Sequence, residues 1–243
     1  MGFALIKLDR ALLTAAKLET IELQYGAGET VYEHGARAQF VYAVDEGALV
    51  RLRLLSKNRS STSEFLFPGE GFGFEIDRNH RDTVQTLRPS KLFAARKEDL
   101  LNAATTDRRL ANLLFSAAVR AVLVAEEQGH RLRTMAATEH IALFLIEMER
   151  RQSVSRKIDL PMTRYHLADY LGVTIETVSR VLNVLQEEGV IQCLDVRHRQ
   201  IIIRDKRRLQ RLASDASDFD YWRRRNGRKH TTTSQDSDLC RSS

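Results

Sequence analysis

The stretch from Thr163 to Gly189, TRYHLADYLGVTIETVSRVLNVLQEEG, constrains the fold most, because its pattern predicts two short helices meeting at a tight turn. Gly172 stands where the first helix must stop, and glycine adopts the left-handed conformation of such a turn without a Cβ penalty. Thr174 follows as a cap, whose hydroxyl can accept a hydrogen bond from a free amide of the second helix. Ala168 is small where two crossing helices would come closest.

Apolar residues recur at helical spacing in both halves of this stretch, at Leu167, Ala168, Leu171, Val178, Val181, Leu182 and Leu185. Each predicted helix therefore has one face to bury against the other. This is the layout of a DNA-binding helix-turn-helix, whose second helix enters the major groove by its N-terminal end.

The polar residues outside these apolar faces become the predicted DNA-binding residues: Thr174, Glu176, Thr177, Ser179 and Arg180. Arginine can donate two hydrogen bonds to guanine, and a carboxylate can accept one from the N4 amine of cytosine. Glu176 and Arg180 are four residues apart, so they share a helix face. The alternative is an exposed ion pair between them, worth only a few tenths of a kcal/mol. The agreement of turn, cap and apolar spacing favours DNA reading.

Charge and cysteine content narrow the class of protein. Lys and Arg outnumber Asp and Glu by 38 to 32 in this 243-residue chain, and the surplus concentrates in residues 153–213, as contact with phosphates requires. Cys193 and Cys240 are too few and too far apart for a disulfide framework or a zinc site. No window approaches a membrane span and the N-terminus lacks a signal-peptide pattern, so we expect a cytoplasmic protein.

The first half of the chain has a different periodicity. Residues 1–20 predict a short amphipathic helix. From 21 to 96 apolar residues alternate or form short runs between Gly and Pro, which predicts antiparallel strands in a β-sandwich or roll. Residues 107–136 then carry the longest helical pattern of the chain.

The long helical pattern contains a heptad seam of small and apolar residues, at Leu110, Leu114, Ala117, Ala121, Val124 and Gln128. The alternative is that this helix packs only on its own roll, and Leu113, Val122 and Leu123 offer a second apolar face for that contact. A helix with two apolar faces needs two partners. We therefore predict a parallel homodimer with the seam as its interface.

The β pattern and the helix-turn-helix together resemble one family. GETVYEHGARAQFVYAVDEGALVRL resembles the β-roll of the CRP/FNR superfamily, and PGEGFGFE resembles the later glycine-rich turn of that roll. ETVSR, at residues 176–180, resembles the recognition helix of the FNR and FixK branch. The cyclic-AMP receptor branch instead has Gly where Ser179 stands and Arg where Ile175 stands. The resemblance runs in order from about residue 20 to 213.

An α+β fold is therefore expected. Residues 1–106 should form a β-roll similar to cyclic-nucleotide-binding domains, and 107–136 the dimerisation helix. Residues 137–213 should form a winged helix-turn-helix, with VIQCLDVRHRQIIIRD as the hairpin wing. The polar segment 214–243 has few apolar anchors and is expected to be a disordered tail.

The resemblance implies a ligand pocket in the roll, but this sequence departs from the cyclic-nucleotide pattern. Gly73 is followed by Phe74 rather than Glu, and Phe cannot accept a hydrogen bond from the ribose hydroxyl. Arg81 is followed by Asp82, whose charge would repel a phosphate. We predict no control by cyclic AMP.

No cofactor is predicted. The oxygen-sensing members of the family hold an iron–sulfur cluster through several N-terminal cysteines, whereas this chain has no cysteine before Cys193. A haem ligand stays open, because His34, His80, His130 and His140 lie in or near the predicted sensing half.

The predicted function is a FixK-like transcription regulator that binds double-stranded DNA as a homodimer. The resemblance implies activation through RNA polymerase and a palindrome close to TTGAT-N4-ATCAA. One alternative is a ligand- or haem-gated regulator of the same fold. The other is an enzyme, but no nucleophile elbow, phosphate loop or metal-ligand spacing supports it.

Overall fold

The computed structural model of the 243-residue chain describes residues 6–8, 10–56, 59–75, 77–119, 122, 136–152, 157–195 and 199–214. Its N-terminal half is an antiparallel roll of seven strands, β1 (Ile6–Lys7), β2 (Thr20–Tyr25), β3 (Thr30–Tyr32), β4 (Phe40–Ser56), β5 (Arg59–Leu66), β6 (Glu70–Phe72) and β7 (Asp82–Arg96). The strand order is β1-β6-β4-β7-β2, with β3 paired to β7 and β5 paired to β4. The predicted antiparallel roll is confirmed.

The long strand β4 curves the sheet because its register shifts at three places along β7, between residues 44 and 49. Gly47 lies in this bulged segment with φ 103°. A Cβ at this position would lie 2.1 Å from Oγ of Ser90 on β7, so only glycine fits.

Three helices accompany the roll: α1 (Arg10–Ala15), α2 (Lys97–Thr106) and α3, which covers 108–119. Asp107 separates α2 from α3, and its Oδ1 accepts from the amide of Arg109 at 2.8 Å and caps the new helix. The helix predicted over 1–20 is wrong in extent. Ile6–Lys7 form a strand paired with β6, and α1 has only six residues.

The C-terminal half contains the helices α4 (Ala137–Gln152), α5 (Arg164–Leu171), α6 (Ile175–Glu187) and α7 (Lys206–Ser214). Its small sheet has the order β8-β10-β9, formed by β8 (Lys157–Asp159), β9 (Ile191–Cys193) and β10 (Gln200–Ile203). The β9–β10 pair is the predicted wing, and β8 was not predicted. Of the predicted tail at 214–243, only Ser214 is described, as the last residue of α7, and residues 196–198 between β9 and β10 lie outside the described residues.

The two halves share a continuous hydrophobic core. Phe65 and Phe67 on either side of the β5 terminus pack in the same cluster as Ile141, Phe144 and Leu145 of α4. The rings of Phe65 and Phe144 meet edge to face, with centroids 6.2 Å apart. The C-terminal half is therefore docked directly on the roll. Within the described part of the chain, no helix is both long and apolar enough to cross a membrane.

Candidate nucleic-acid interface

The turn between α5 and α6 has the geometry that its residues predict. Thr163 precedes α5, and its hydroxyl accepts from the amide of His166 at 3.1 Å. Gly172 ends α5 in the left-handed conformation, with φ 67° and ψ 32°. Thr174 then caps α6 by accepting from the amide of Thr177 at 3.2 Å. Both helices thus begin on a side-chain cap, which fixes where α6 starts.

All seven apolar residues predicted to face inward in this motif are buried: Leu167, Ala168, Leu171, Val178, Val181, Leu182 and Leu185. They belong to the core cluster that also contains Phe144 of α4. This burial fixes the rotation of α6 about its own axis and decides which side chains point outward.

The predicted reading residues lie on the outward face of α6. Glu176 and Arg180 are exposed, Thr177 and Ser179 are half-buried, and Thr174 is exposed at the cap. Hydrogen bonds from its own backbone amide and from the Thr174 hydroxyl hold the pKa of Glu176 below its usual value. The Glu176 carboxylate is therefore ionised and able to accept hydrogen bonds from a ligand.

The alternative ion pair is not formed. Among the described side chains, no carboxylate oxygen lies within 4.0 Å of the Arg180 guanidinium, although Glu176 is one helical turn away. Both groups therefore project into solvent next to the first turns of α6, where a major-groove ligand would meet them.

Two exposed apolar residues flank this face and were missed from the sequence. Ile175 begins α6 and Tyr165 lies in the first turn of α5, and both side chains are exposed. Ile175 follows the same spacing as the buried Val178 and Leu182, yet its side chain is 41% exposed. Its position before the first full turn of α6 takes it out of the core.

The wing brings Arg199 close to Arg164, the first residue of α5. Arg164 is half-buried, and its pKa is lowered mainly by burial. Cys193 on β9 lies beside Arg164, and burial raises the pKa of its thiol to about 11. The Cys193 thiol is therefore protonated at neutral pH and poorly nucleophilic.

The roll interior is occupied by its own side chains. The rings of Tyr32 and His80 stack with centroids 3.5 Å apart. Cross-strand pairing places Tyr32, Val84, Arg51 and Glu64 in one row, in which Arg51 Nη1 lies 3.0 Å from Glu64 Oε2.

The residues that depart from the cyclic-nucleotide pattern have partners within the chain. Asp82 accepts from Nε of Arg53 at 3.0 Å, and Arg81 pairs with Asp77 on the surface. Phe74 packs partly buried against the cluster that contains Leu8. His34 is exposed, His80 and His140 are buried, and His130 lies outside the described residues.

The helix α3 presents a different face from the predicted seam. Leu110 is only 2% exposed and packs with Leu114 in the core of its own roll, and Ala117 is buried as well. Phe115, by contrast, is 71% exposed and Val122 60% exposed. The other seam residues, Ala121, Val124 and Gln128, lie outside the described residues.

Comparison with known proteins agrees with both halves of this architecture. A profile described as "Cyclic nucleotide-binding domain" matches residues 22–107, and one described as "Crp-like helix-turn-helix domain" matches 139–212. The nitrogen fixation regulation protein FixK of Rhizobium meliloti is 36% identical over 71% of this chain and 79% of its own. The transcriptional activator protein FnrL of Cereibacter sphaeroides is 30% identical over 84% and 85%.

A solved structure gives the same result in three dimensions. FixK2 from Bradyrhizobium japonicum superposes with a TM-score of 0.76 at 34% identity, covering 82% of this chain and 100% of that one. The two profile matches, over residues 22–107 and 139–212, include most of the roll, the motif α5–α6 and the wing. The chain therefore belongs to the CRP/FNR superfamily of transcription regulators, as a FixK-like member with a helix-turn-helix DNA-binding domain.

Proposed function

We propose that this protein is a homodimeric, sequence-specific regulator that reads a palindrome close to TTGAT-N4-ATCAA. The observation that carries the proposal is the pair of exposed, unpaired charges of Glu176 and Arg180 on the first two turns of a capped α6. Both can enter a major groove without breaking an existing ion pair.

Each reading residue has a role that fits its chemistry. The ionised carboxylate of Glu176 accepts from the N4 amine of a cytosine, and Arg180 donates to the paired guanine or its neighbour. Ser179 helps to select the flanking thymine. Ile175 supplies an apolar surface for a thymine methyl group. Thr174 and Thr177 lie at the N-terminus of α6, where backbone amides favour a phosphate.

The dimer follows from the exposed side of α3. Phe115 and Val119 are exposed apolar residues four positions apart on α3, and the exposed Val122 continues this spacing, so the three residues define the proposed dimer stripe. A twofold axis along this stripe buries it and presents two copies of α6 about one DNA turn, ~34 Å, apart. For the described part of α3, this stripe replaces Leu110, Leu114 and Ala117 as the proposed interface.

We infer that DNA binding needs neither cyclic AMP nor an iron–sulfur cluster. The side chain of Asp82 is already engaged by Arg53, and Phe74 offers no acceptor for a ribose hydroxyl. Both cysteines of the chain, Cys193 and Cys240, lie in its last third. No cofactor is needed for the proposed reading of DNA, and no enzymatic activity is proposed.

Activation, through contact with RNA polymerase in the cytoplasm, is the proposed outcome. Its support is that relatives such as FnrL are described as transcriptional activators. Selection of binding sites from random duplexes tests the core of the proposal. Purified protein should enrich a TTGAT half-site in inverted repeat without added effector, and enrichment of no sequence would overturn it.

A second candidate is a regulator of the same fold that is gated by a ligand or haem. It is favoured by Tyr32 Oη and Arg51 Nε, two of the three buried side-chain atoms of the described roll that have no hydrogen-bond partner; the third is Thr62 Oγ1. An effector with an acceptor atom between Tyr32 Oη and Arg51 Nε would satisfy both. Under this candidate, DNA binding by freshly purified protein rises when the effector is added, and an ultraviolet–visible spectrum reports bound haem directly.

A further inference from the structure

A carboxylate on the first helix of the DNA-reading motif is bound to the roll. Asp169 on α5 accepts a short hydrogen bond from the backbone amide of Thr62 on β5. It also accepts from the hydroxyl of Ser61 at 3.4 Å. Asp169 therefore joins α5 to the backbone of β5, the strand that pairs with β4.

An aromatic contact lies next to this bond. The ring of Tyr170 packs 5.2 Å from Phe65 of β5 and 6.0 Å from Phe144 of α4. Such a contact holds α5 against β5, but the free energy of burial depends on the area removed from water and not on direction. The hydrogen bonds of Asp169 are directional and select one position.

The position of α5 determines the position of α6. The two helices share a buried core and are joined through the left-handed turn at Gly172, so they move as one body. On the other side, β5 pairs with β4, and the roll core holds Leu110 of α3, the helix that carries the proposed dimer stripe. A continuous path of contacts thus runs from the reading helix through Asp169 to the dimer axis.

We propose that Asp169 is a positioning residue that sets the distance between the two reading helices of the dimer. It thereby determines the spacer length that the protein accepts, without touching DNA. This inference rests on the proposed function. The reading residues Glu176 and Arg180 lie on α6, whereas Asp169 lies on α5 and bonds to the roll, so the reading face should stay intact without Asp169.

The test compares wild type, Asp169→Ala and Asp169→Asn on duplexes with one half-site, and with two half-sites separated by three, four or five base pairs. Glu187→Ala, an exposed carboxylate at the end of α6, is the matched control. We expect Asp169→Ala to bind the single half-site within about twofold of wild type. Its preference for the four-base-pair spacer should fall about tenfold, the effect of losing one charge-assisted hydrogen bond. Asparagine keeps an acceptor oxygen, so Asp169→Asn should restore the preference.

Each outcome decides either the proposed function or the positioning role. A wild-type protein that binds no half-site overturns the proposed function itself. A folded Asp169→Ala protein that keeps the wild-type spacer preference overturns the positioning role alone. Thr62→Pro covers the case in which Asp169→Ala does not fold, since it removes the donor amide of Thr62 from β5, which among the described strands pairs only with β4. It should relax the spacer preference in the same way, and an unchanged preference overturns the positioning role.

Discussion

Arg151 of α4 and Glu70 of β6 form an ion pair in which each side chain is only 1% exposed. The guanidinium also donates to the carbonyl oxygen of Phe65 at 2.7 Å and lies 4.6 Å from the ring centre of Phe67. The carboxylate of Glu70 accepts in turn from the amide of Phe67. This pair joins the DNA-binding half to the roll at a point that water does not reach.

Breaking the pair on one side should be costly. Glu70→Gln leaves the Arg151 charge buried without a counter-ion, so we expect the free energy of unfolding to fall by about 3–5 kcal/mol. Urea titration measures it. The exposed pair of Arg81 and Asp77 is the control, because Arg81→Ala should cost at most about 1 kcal/mol. Equal losses in the two variants would contradict this account.

Arg180→Ala should weaken binding to the selected palindrome by about 1–3 kcal/mol per half-site and flatten discrimination at the guanine that it reads. A binding selection with the variant measures both effects. Arg207, exposed on α7, is the matched control. Arg207→Ala should leave the sequence preference unchanged, and a wild-type preference in Arg180→Ala would refute the assignment.

The two faces of α3 can be separated by mutation. Phe115→Arg places a charge in the proposed dimer stripe but disturbs no core, so sedimentation velocity should detect monomers whose far-ultraviolet circular dichroism matches that of wild type. Leu110→Ala removes a buried side chain and should cost about 2–5 kcal/mol of stability, with the dimer retained at low temperature. Dimers formed by Phe115→Arg would exclude the stripe as the interface.

The stability of the protein should depend on pH through His166. Burial lowers the pKa of its ring below the ordinary value of 6.5, while the charge of Asp169 opposes this shift. The unfolded chain therefore binds a proton first as the pH falls. The contribution of the neutral His166 ring to the free energy of unfolding is fully present above about pH 6.5. It is lost as the pH falls from there to the pKa of His166 in the folded protein. Urea titrations at pH 7.5 and 5.5 should show a smaller loss for His166→Gln than for wild type, whereas the exposed control His34→Gln should match wild type.

Cys193 should be a slow nucleophile. Its pKa of about 11 leaves little thiolate at neutral pH, so alkylation in a Cys240→Ser background should be slower than that of a free thiol and accelerate with rising pH. DNA binding by Cys193→Ser should equal that of wild type before and after mild peroxide. Rapid loss of wild-type binding, reversed by a reductant and absent from Cys193→Ser, would show that the thiol is reactive.

The helix-turn-helix could be predicted in detail because its determinants are local. The glycine at 172, the cap at 174 and the spacing of the apolar residues act within a few positions of one another. The alternation of apolar residues likewise predicted an antiparallel β-roll. It did not predict which residues pair across neighbouring strands.

Contacts between distant segments could not be predicted. Asp169 and Thr62 are 107 positions apart, and no periodicity connects them. The assignment of the faces of α3 meets the same limit. A heptad pattern shows that a helix has apolar stripes, but it does not say which stripe meets the roll, and Leu110 meets it here.

The core shared by Phe65, Phe67 and Phe144 has a consequence for exchanging parts between relatives. A chimaera joined at residue 137 would carry α4 and α5 onto a foreign β5 with different ring positions. The aromatic surface of the transplanted half would then face an unmatched counterpart, and packed interiors tolerate such mismatch poorly. The helix-turn-helix half and strand β5 therefore form one structural unit, and a chimaera should transfer both together.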